Sequence, residues 1–296
     1  EQLRVDLQGW LAARLPAGAD PTVPELSATS ANGMSSETLL FEATWTEDGA
    51  KRWQPLVARA APDTGDIPVF PSYDMRRQYD VIRLVGERTD VPVPKVWWYE
   101  ADESVLGTPF FVMERVDGQV PPDVMPYNFG DSWVYDAAPE QLRRLQDSTV
   151  EVIAALHAIP DAEQAFSFLA FDDPGESALR RHVAHTEAWY RFTTDGPHGM
   201  RSPLVDRGIA WLHDHWPTDE GDTVVSWGDS RIGNVIYDDF RPAAVLDWEM
   251  AGLGPRELDV AWLVFAHMVF EDIASVFELP GMPDFLRADD VVATYE

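Results

Sequence analysis

The run "VVSWGDSRIGNVIYDDFRPAAVLDWE", residues 224–249, constrains this chain more than any other stretch. Its apolar strings "NVIY" and "AAVL" are strand formers separated by the polar "DDFRP", the pattern of a β-hairpin. With 238–242 as the connection between strands 234–237 and 243–247, Asn234 falls opposite Asp247 or Leu246. Directly opposed side chains lie about 4.5–5.5 Å apart at Cβ, near enough to share one metal ion. Asp229, five residues before Asn234, sits in the loop that feeds the same end of the hairpin. Carboxylates beside so much Val, Ile, Ala and Leu are costly unless a cation joins them. Two hard oxygen donors with a third carboxylate nearby suit Mg²⁺, which takes one or two protein ligands and completes its shell with water and phosphate oxygens. Taken singly, Asp229, Asn234 and Asp247 would be ordinary turn and cap residues. Their joint spacing across a hairpin is what points to a metal site.

Composition narrows the classes further. Lys plus Arg number 22 against 51 Asp plus Glu, a formal charge of −29, with the acids spread along the whole chain. That argues against nucleic acid or an anionic membrane surface as partner. It is compatible with a cationic substrate, although solubility alone accounts for such a charge. The absence of cysteine excludes disulfides, thiolate zinc sites and a cysteine nucleophile, and is consistent with a cytoplasmic setting. No stretch reaches the ~18 consecutive apolar residues of a membrane span. The most apolar one, "VAWLVFAHMVFEDIASVF" (260–277), repeats at helical spacing and reads as a core helix. The opening "EQLRVDLQGW" has no basic n-region or apolar h-region, and the closing "RADDVVATYE" reads as a helix cut in mid-course, so both ends read as trimmed.

Along the chain the character shifts from a sheet-rich half to long helical patterns. Residues 4–15 are an amphipathic helix, and a small polar stretch, "SATSANGMSS" (27–36), follows. Leu39, Phe41, Ala43 and Trp45 then alternate with Leu40, Glu42, Thr44 and Thr46, which is strand periodicity. "EDGA" is a turn, 54–62 a returning strand and 73–87 a helix, while "PVPKVWWYE" and "TPFFVMERV" are two more strands. After "DGQVPPD" helical patterns take over, at 140–158, 176–192 and 203–216, broken only by the hairpin and followed by a helix over 257–277. The expectation is an α+β chain in which residues 1–26 form a helix and lead-in. A sheet-rich lobe spans 27–117 and a larger helical lobe 118–296.

The hairpin segment resembles the catalytic segment of the aminoglycoside phosphotransferase and choline kinase group, which has the bilobal protein-kinase-like fold. That family's pattern is H-G-D-x-x-x-x-N, an apolar hairpin and D-x-[ED]; here it stands as Trp227-Gly228-Asp229, Asn234 and "LDWE". The likeness continues in order through "NGMSSET", "LVARAAP", "DVPVPKV", "GTPFFVMERVDG", "LHAIP" and "GPRELDVAW". The resemblance implies an ATP- and Mg²⁺-dependent transfer to the hydroxyl of a small molecule, with ATP between the lobes. Asp229 would be the base facing the acceptor and Arg231 would stabilise the transferring group. Asn234 and Asp247 would hold Mg²⁺, and Glu249 would either bind a second metal or orient Asp247. In the small lobe, Gly33, Ser35 and Ser36 would cover the phosphates and Arg59 would bind them. Met113 would stand behind adenine, with the Glu114 carbonyl and the Val116 amide pairing to its edge. Asp259 would brace the catalytic loop or cap a helix.

Two positions depart from the family. Trp227 replaces the histidine of H-G-D, which should alter loop packing more than chemistry. Gln78 stands where a glutamate would pair with the phosphate-binding cation, which keeps open an alternative: a nucleotide-binding pseudokinase with a regulatory role. Acceptor contacts are expected within 120–136 and 262–272, with Tyr127, Asp131, Trp133, His267 and Glu271 as candidates. The pairs His182/His185 and His213/His215 lack the i, i+4 spacing of a helical zinc site and read as exposed helix residues.

Overall fold

The computed structural model describes residues 1–28, 37–62, 68–196 and 199–296. The chain divides into two compact units, Glu1–Leu84 with Pro94–Val116, and Val85–Val93 with Asp117–Glu296.

The first unit begins with helix α1 (Gln2–Arg14), followed by strands β1 (Leu26–Ala28), β2 (Glu37–Glu47) and β3 (Ala50–Ala60). Helix α2 (Met75–Arg88), whose last turn belongs to the second unit, precedes β4 (Val96–Glu100) and β5 (Phe110–Glu114). The five strands form one sheet in the order β1-β2-β3-β5-β4, with every neighbouring pair antiparallel. Asp48 and Gly49 make the β2–β3 turn with φ of 51° and 76°, the left-handed pair that a two-residue hairpin of right-handed twist requires. The alternation in β2 places Phe41, Ala43 and Trp45 inward, where they pack with Leu7, Trp10 and Leu11 of α1 and with Phe110 and Val112 of β5. The Trp10 ring also tilts against Phe110 at 5.0 Å, and its Nε1 donates to Glu100 Oε2 at 2.8 Å. Phe111, the intervening residue of β5, points to the other face and meets Tyr79 of α2.

The second unit contains α3 (Pro139–His157), α4 (Ala162–Ala165), α5 (Ala178–Thr194), α6 (Pro203–Asp214), β6 (Thr223–Ser226), β7 (Val235–Asp238), β8 (Arg241–Val245), β9 (Gly252–Pro255), α7 (Glu257–Val276) and α8 (Ala288–Tyr295). Strand β6 pairs antiparallel with β9 and β7 with β8, giving two small ribbons. Helix α3 runs against both ribbons and α8, with Leu145, Val150, Ile153 and Leu156 buried. Its Thr149 Oγ1 meets the buried Tyr237 hydroxyl of β7 at 2.7 Å, satisfying both groups.

Three expectations need correction. The hairpin connection is the pair Asp239–Phe240, both left-handed with φ of 45° and 60°, rather than the five residues 238–242. A bulge on the β8 side, where Ile236↔Ala244 is followed by Tyr237↔Pro242, shortens the loop. The apolar stretch 260–277 is not a core helix: α7 buries Asp259, Leu263, His267 and Ala274 on one stripe, while Phe265, Met268 and Val276 are exposed. His182 is not exposed either, since its Nδ1 is buried and its ring lies edge-on to Phe171. Among the described residues no helix is long and apolar enough to cross a membrane.

Candidate active site

Strand β6 ends at Ser226, and the chain from Trp227 to Arg231 forms a loop whose shape is set from beneath by Asp259. This aspartate, in the first turn of α7, is wholly buried. Its carboxylate accepts from Ser226 Oγ at 2.9 Å, Trp227 N at 2.8 Å, Gly228 N at 2.9 Å and His157 Nε2 at 2.9 Å. Its carbonyl accepts from Ser230 Oγ at 2.8 Å. Four donors around one buried carboxylate compensate its desolvation and tie three consecutive residues to α7. Asp259 therefore braces the loop. Gly228 makes the tight passage possible: its φ is +94°, and a Cβ there would lie 2.3 Å from the Met250 carbonyl oxygen.

Trp227, the departure from H-G-D, is fully buried, packs against Trp248 at 6.1 Å and donates from Nε1 to the Leu246 carbonyl at 2.8 Å. The indole thus links the loop to the residue that precedes Asp247.

Beyond this brace, three donors hold the Asp229 carboxylate. Trp262 Nε1 reaches Oδ1 at 2.7 Å, while Asn234 Nδ2 at 2.7 Å and Arg231 Nε at 3.0 Å reach Oδ2. A carboxylate offers about four lone-pair positions, so one on Oδ1 is left for a further donor. Asn234 also gives Nδ2 to the Asp229 carbonyl at 3.0 Å, which leaves its Oδ1 without a hydrogen bond among the described residues. The Leu246 amide donates to the Asn234 carbonyl at 2.9 Å, so the rung opposite Asn234 is Leu246 and Asp247 follows it. Asp247 adopts a left-handed backbone, φ 62° and ψ 60°, as the chain leaves β8. The hairpin end therefore sets Asn234 opposite Leu246, one residue before Asp247. Glu249 lies in the single turn Trp248–Met250 that follows. Among the described residues no three His, Cys, Asp or Glu side chains are gathered as a metal site. An Asn–Asp pair whose shell is completed by phosphate and water is a different donor set, and the unengaged Asn234 oxygen fits it.

Arg231 lies between two carboxylates: Nε donates to Asp229 and Nη1 to Asp123 Oδ2. Burial alone would lower its pKa, but Asp229 and then Asp123 outweigh that and raise it above the ordinary arginine value. Asp123, Trp262 and His157 were not singled out from sequence as site residues. Trp262 and His157 lie in quoted motifs, and Asp123 and Trp262 fall in the stretches 120–136 and 262–272 expected to meet the acceptor, but no spacing marks Asp123 itself.

The predicted residues of the first unit fall as follows. Arg59 lies in β3 opposite Thr38 and Phe111. Met113 is buried opposite Val57, and Glu114 closes β5 with its amide bonded to the Lys95 carbonyl at 2.9 Å. Val116, half-buried, is the last residue of this unit. Gln78 is buried in α2. Gly33, Ser35 and Ser36 lie outside the described residues.

Of the expected acceptor contacts, Tyr127 and His267 line a small cavity with Asp123 and Arg231, and with Glu271 they also make buried bonds. Tyr127 and His267 are almost wholly buried, and the phenol meets His267 Nδ1 at 2.7 Å. Glu271 Oε1 accepts from Asn128 Nδ2 and from the Met282 amide, both at 2.8 Å. These three residues join α7 to the loops around 128 and 282. Trp133 packs on Tyr237 and Phe240 of the hairpin, and Asp131 is exposed.

A family profile described as the phosphotransferase enzyme family matches residues 41–279, and the chain belongs to that family. Its fold is the kinase-like one. A crystal structure from Ralstonia eutropha, provisionally assigned as an aminoglycoside phosphotransferase, superposes with a TM-score of 0.60 at 27% identity, covering 88% of this chain and 68% of that one. The streptomycin–ATP–APH(2″)-IIa ternary complex gives a TM-score of 0.55 at 12% identity, with 86% and 73% covered, a likeness of fold. Among curated proteins, "Probable acyl-CoA dehydrogenase IBR3" of Arabidopsis thaliana is 28% identical over 276 residues, 89% of this chain but 31% of that protein. The chain therefore spans about a third of the length of that relative.

Proposed function

We propose that this chain moves the γ-phosphoryl group of ATP to a hydroxyl of a small molecule, with Asp229 as the base. The observation that carries the reading is the Asp229 carboxylate, held by Trp262, Asn234 and Arg231 on a loop that Asp259 braces, with one Oδ1 lone pair left over. Phosphoryl transfer asks mostly for positioning and charge neutralisation, and this arrangement supplies both. The acceptor O–H would bond to that Oδ1 position. As the acceptor oxygen bonds to the γ-phosphorus, the bond from phosphorus to the bridging oxygen breaks and ADP leaves. The acceptor proton passes to Asp229 and then to solvent. Arg231, fixed between two carboxylates, would meet charge on the transferring group.

Asn234 and Asp247 would hold Mg²⁺ through their side-chain oxygens. An ion held there would offset the negative charge of the phosphates. Arg59 would bind the phosphates, and Met113, Glu114 and Val116 would line adenine, with Gly33, Ser35 and Ser36 assigned to the phosphate loop. The ATP in a fold neighbour supports nucleotide as the donor.

For the acceptor, a groove of about 610 Å³ lies in the second unit between Leu179 of α5, the loop at Pro217–Gly221 and the α7 residues Leu258, Ala261, Trp262 and Phe265. Its walls are mainly apolar with Asp219, Glu220 and Glu257 among them, and Trp262 connects it to Asp229. An acceptor with an apolar body suits that lining. The name of the curated relative makes a hydroxylated acyl thioester worth placing beside aminoglycosides and amino alcohols in a first panel. The test is ADP release from Mg·ATP across such a panel. Acceptor-dependent release supports the reading, and silence from every member with nucleotide bound counts against it. The second reading, a nucleotide-binding chain without turnover, rests on Gln78, whose neutral amide cannot form the expected ion pair. It predicts ATP binding with no release to any acceptor or to water.

A further inference from the structure

We infer that Asp123 is a positioning residue for the phosphoryl transfer, acting through Arg231; this rests on the reading of Asp229 and Arg231 above. Asp123 lies in the loop between β5 and α3, 108 residues ahead of Arg231 in sequence. Its Oδ2 accepts from Arg231 Nη1, while Arg231 Nε is bonded to Asp229 Oδ2 at 3.0 Å. A guanidinium is a rigid plane, so anchoring two of its three nitrogens fixes the direction of the third. Nη2 makes no hydrogen bond among the described residues, and the side chain is 26% exposed. The two N–H groups of Nη2, beside the second hydrogen of Nη1, are what Arg231 has left for a transferring phosphoryl group.

Two further observations show that the pairing is built in. Asp123 Oδ1 is buried and has no hydrogen-bond partner among the described residues, an arrangement that a merely convenient surface ion pair would avoid. Gly233 is not in the left-handed region, so its backbone does not demand glycine. A Cβ there would stand 2.5 Å from Asp123 Oδ1 and 2.6 Å from Arg231 Nη1. The glycine leaves room for the carboxylate and the guanidinium to meet. Without Asp123, Asp229 is the one carboxylate still paired with Arg231 among the described residues, and the guanidinium would settle onto the base and crowd the position of the acceptor hydroxyl.

The experiment measures Mg·ADP affinity with and without aluminium fluoride, a mimic of the transferring group, in wild type, Asp123→Ala, Arg231→Ala and the double variant. Fluoride should tighten ADP in wild type. Each single variant should lose most of that tightening, about 100-fold for a misplaced group, with plain Mg·ADP affinity unchanged. The double variant should lose no more than the worse single one. Asp123→Glu should recover part of the effect. Gly233→Ala, which removes no functional group, should reproduce the loss in the wild-type background and add nothing to Arg231→Ala. Full tightening in Asp123→Ala, or losses that multiply in the double variant, would overturn the inference. If Arg231→Ala alone keeps full tightening, the role given to Arg231 falls and the inference with it. If wild type binds no Mg·ADP under either condition, the phosphotransferase reading itself has failed.

Discussion

The backbone amide of Trp227 donates to the wholly buried carboxylate of Asp259 at 2.8 Å, and this bond joins the residue before Gly228 to a helix 32 positions later. It is one of four bonds on that carboxylate, so the loop that carries Asp229 takes its shape from α7. Asp259→Ala would leave several buried donors without an acceptor. Breaking a buried charged network of this kind costs about 3–5 kcal/mol. Urea denaturation followed by tryptophan fluorescence should show a loss of that size. A loss below about 1 kcal/mol, the range of an exposed ion pair, would mean that the loop does not depend on this brace.

Trp227→Phe keeps an aromatic ring and removes the bond from Nε1 to the Leu246 carbonyl. Leaving a buried acceptor unmatched costs about 1–3 kcal/mol. The melting temperature should fall accordingly while turnover falls far less than in Asp229→Asn. Equal losses of turnover in the two variants would give Trp227 a chemical role that its buried position does not provide.

Asp247→Ala should abolish the Mg²⁺ dependence of ATP binding, because it deletes one of the two protein donors assigned to the ion. Titration of ATP with and without a chelator, in wild type and variant, checks this. A variant that still binds Mg·ATP as tightly as wild type would remove Asp247 from the metal site.

Stability should fall in mild acid because two buried histidines resist protonation. Burial lowers the pKa of His182 from its ordinary 6.5, and the nearby His185 adds to the shift. Burial lowers that of His267 as well, against an opposing pull from Glu271. The unfolded chain therefore takes up these protons at higher pH than the native one. Their contribution is intact above about 6.5 and is lost as pH falls toward the depressed native values. The urea midpoint should drop between about pH 7.5 and 5.5, and His182→Gln with His267→Gln should flatten that drop. An unchanged slope in the double variant would place the acid sensitivity elsewhere.

Much of the fold was legible because it depends on local periodicity. The alternation of Phe41, Ala43 and Trp45 marked β2, and the 3.6-residue stripe through Leu145, Ile153 and Leu156 marked α3. The motif residues Asp229 and Asn234 are in direct contact, and Asp259 lies beneath the loop as one of the two options anticipated for it. Other features are set by packing that spacing does not carry. Phe240 in a left-handed turn gives no composition signal, since such positions usually fall to Gly or Asn. The Arg231–Asp123 pair joins distant segments, and one more aspartate among 51 acids carries no mark. Tyr127, His267 and Glu271 were expected at the substrate because polar groups near a catalytic loop suggest contact. Tyr127 pairs with His267, and Glu271 with Asn128 and the Met282 amide, bonds that only the tertiary contacts reveal.

The central claim is that Asp229 is the base of a phosphoryl transfer, and the most direct test compares wild type with Asp229→Asn. ADP release from Mg·ATP, with the acceptor that gives the fastest turnover, should fall by about 10²–10⁴ while nucleotide affinity stays within a few-fold. A variant that turns over at the wild-type rate would contradict the assignment.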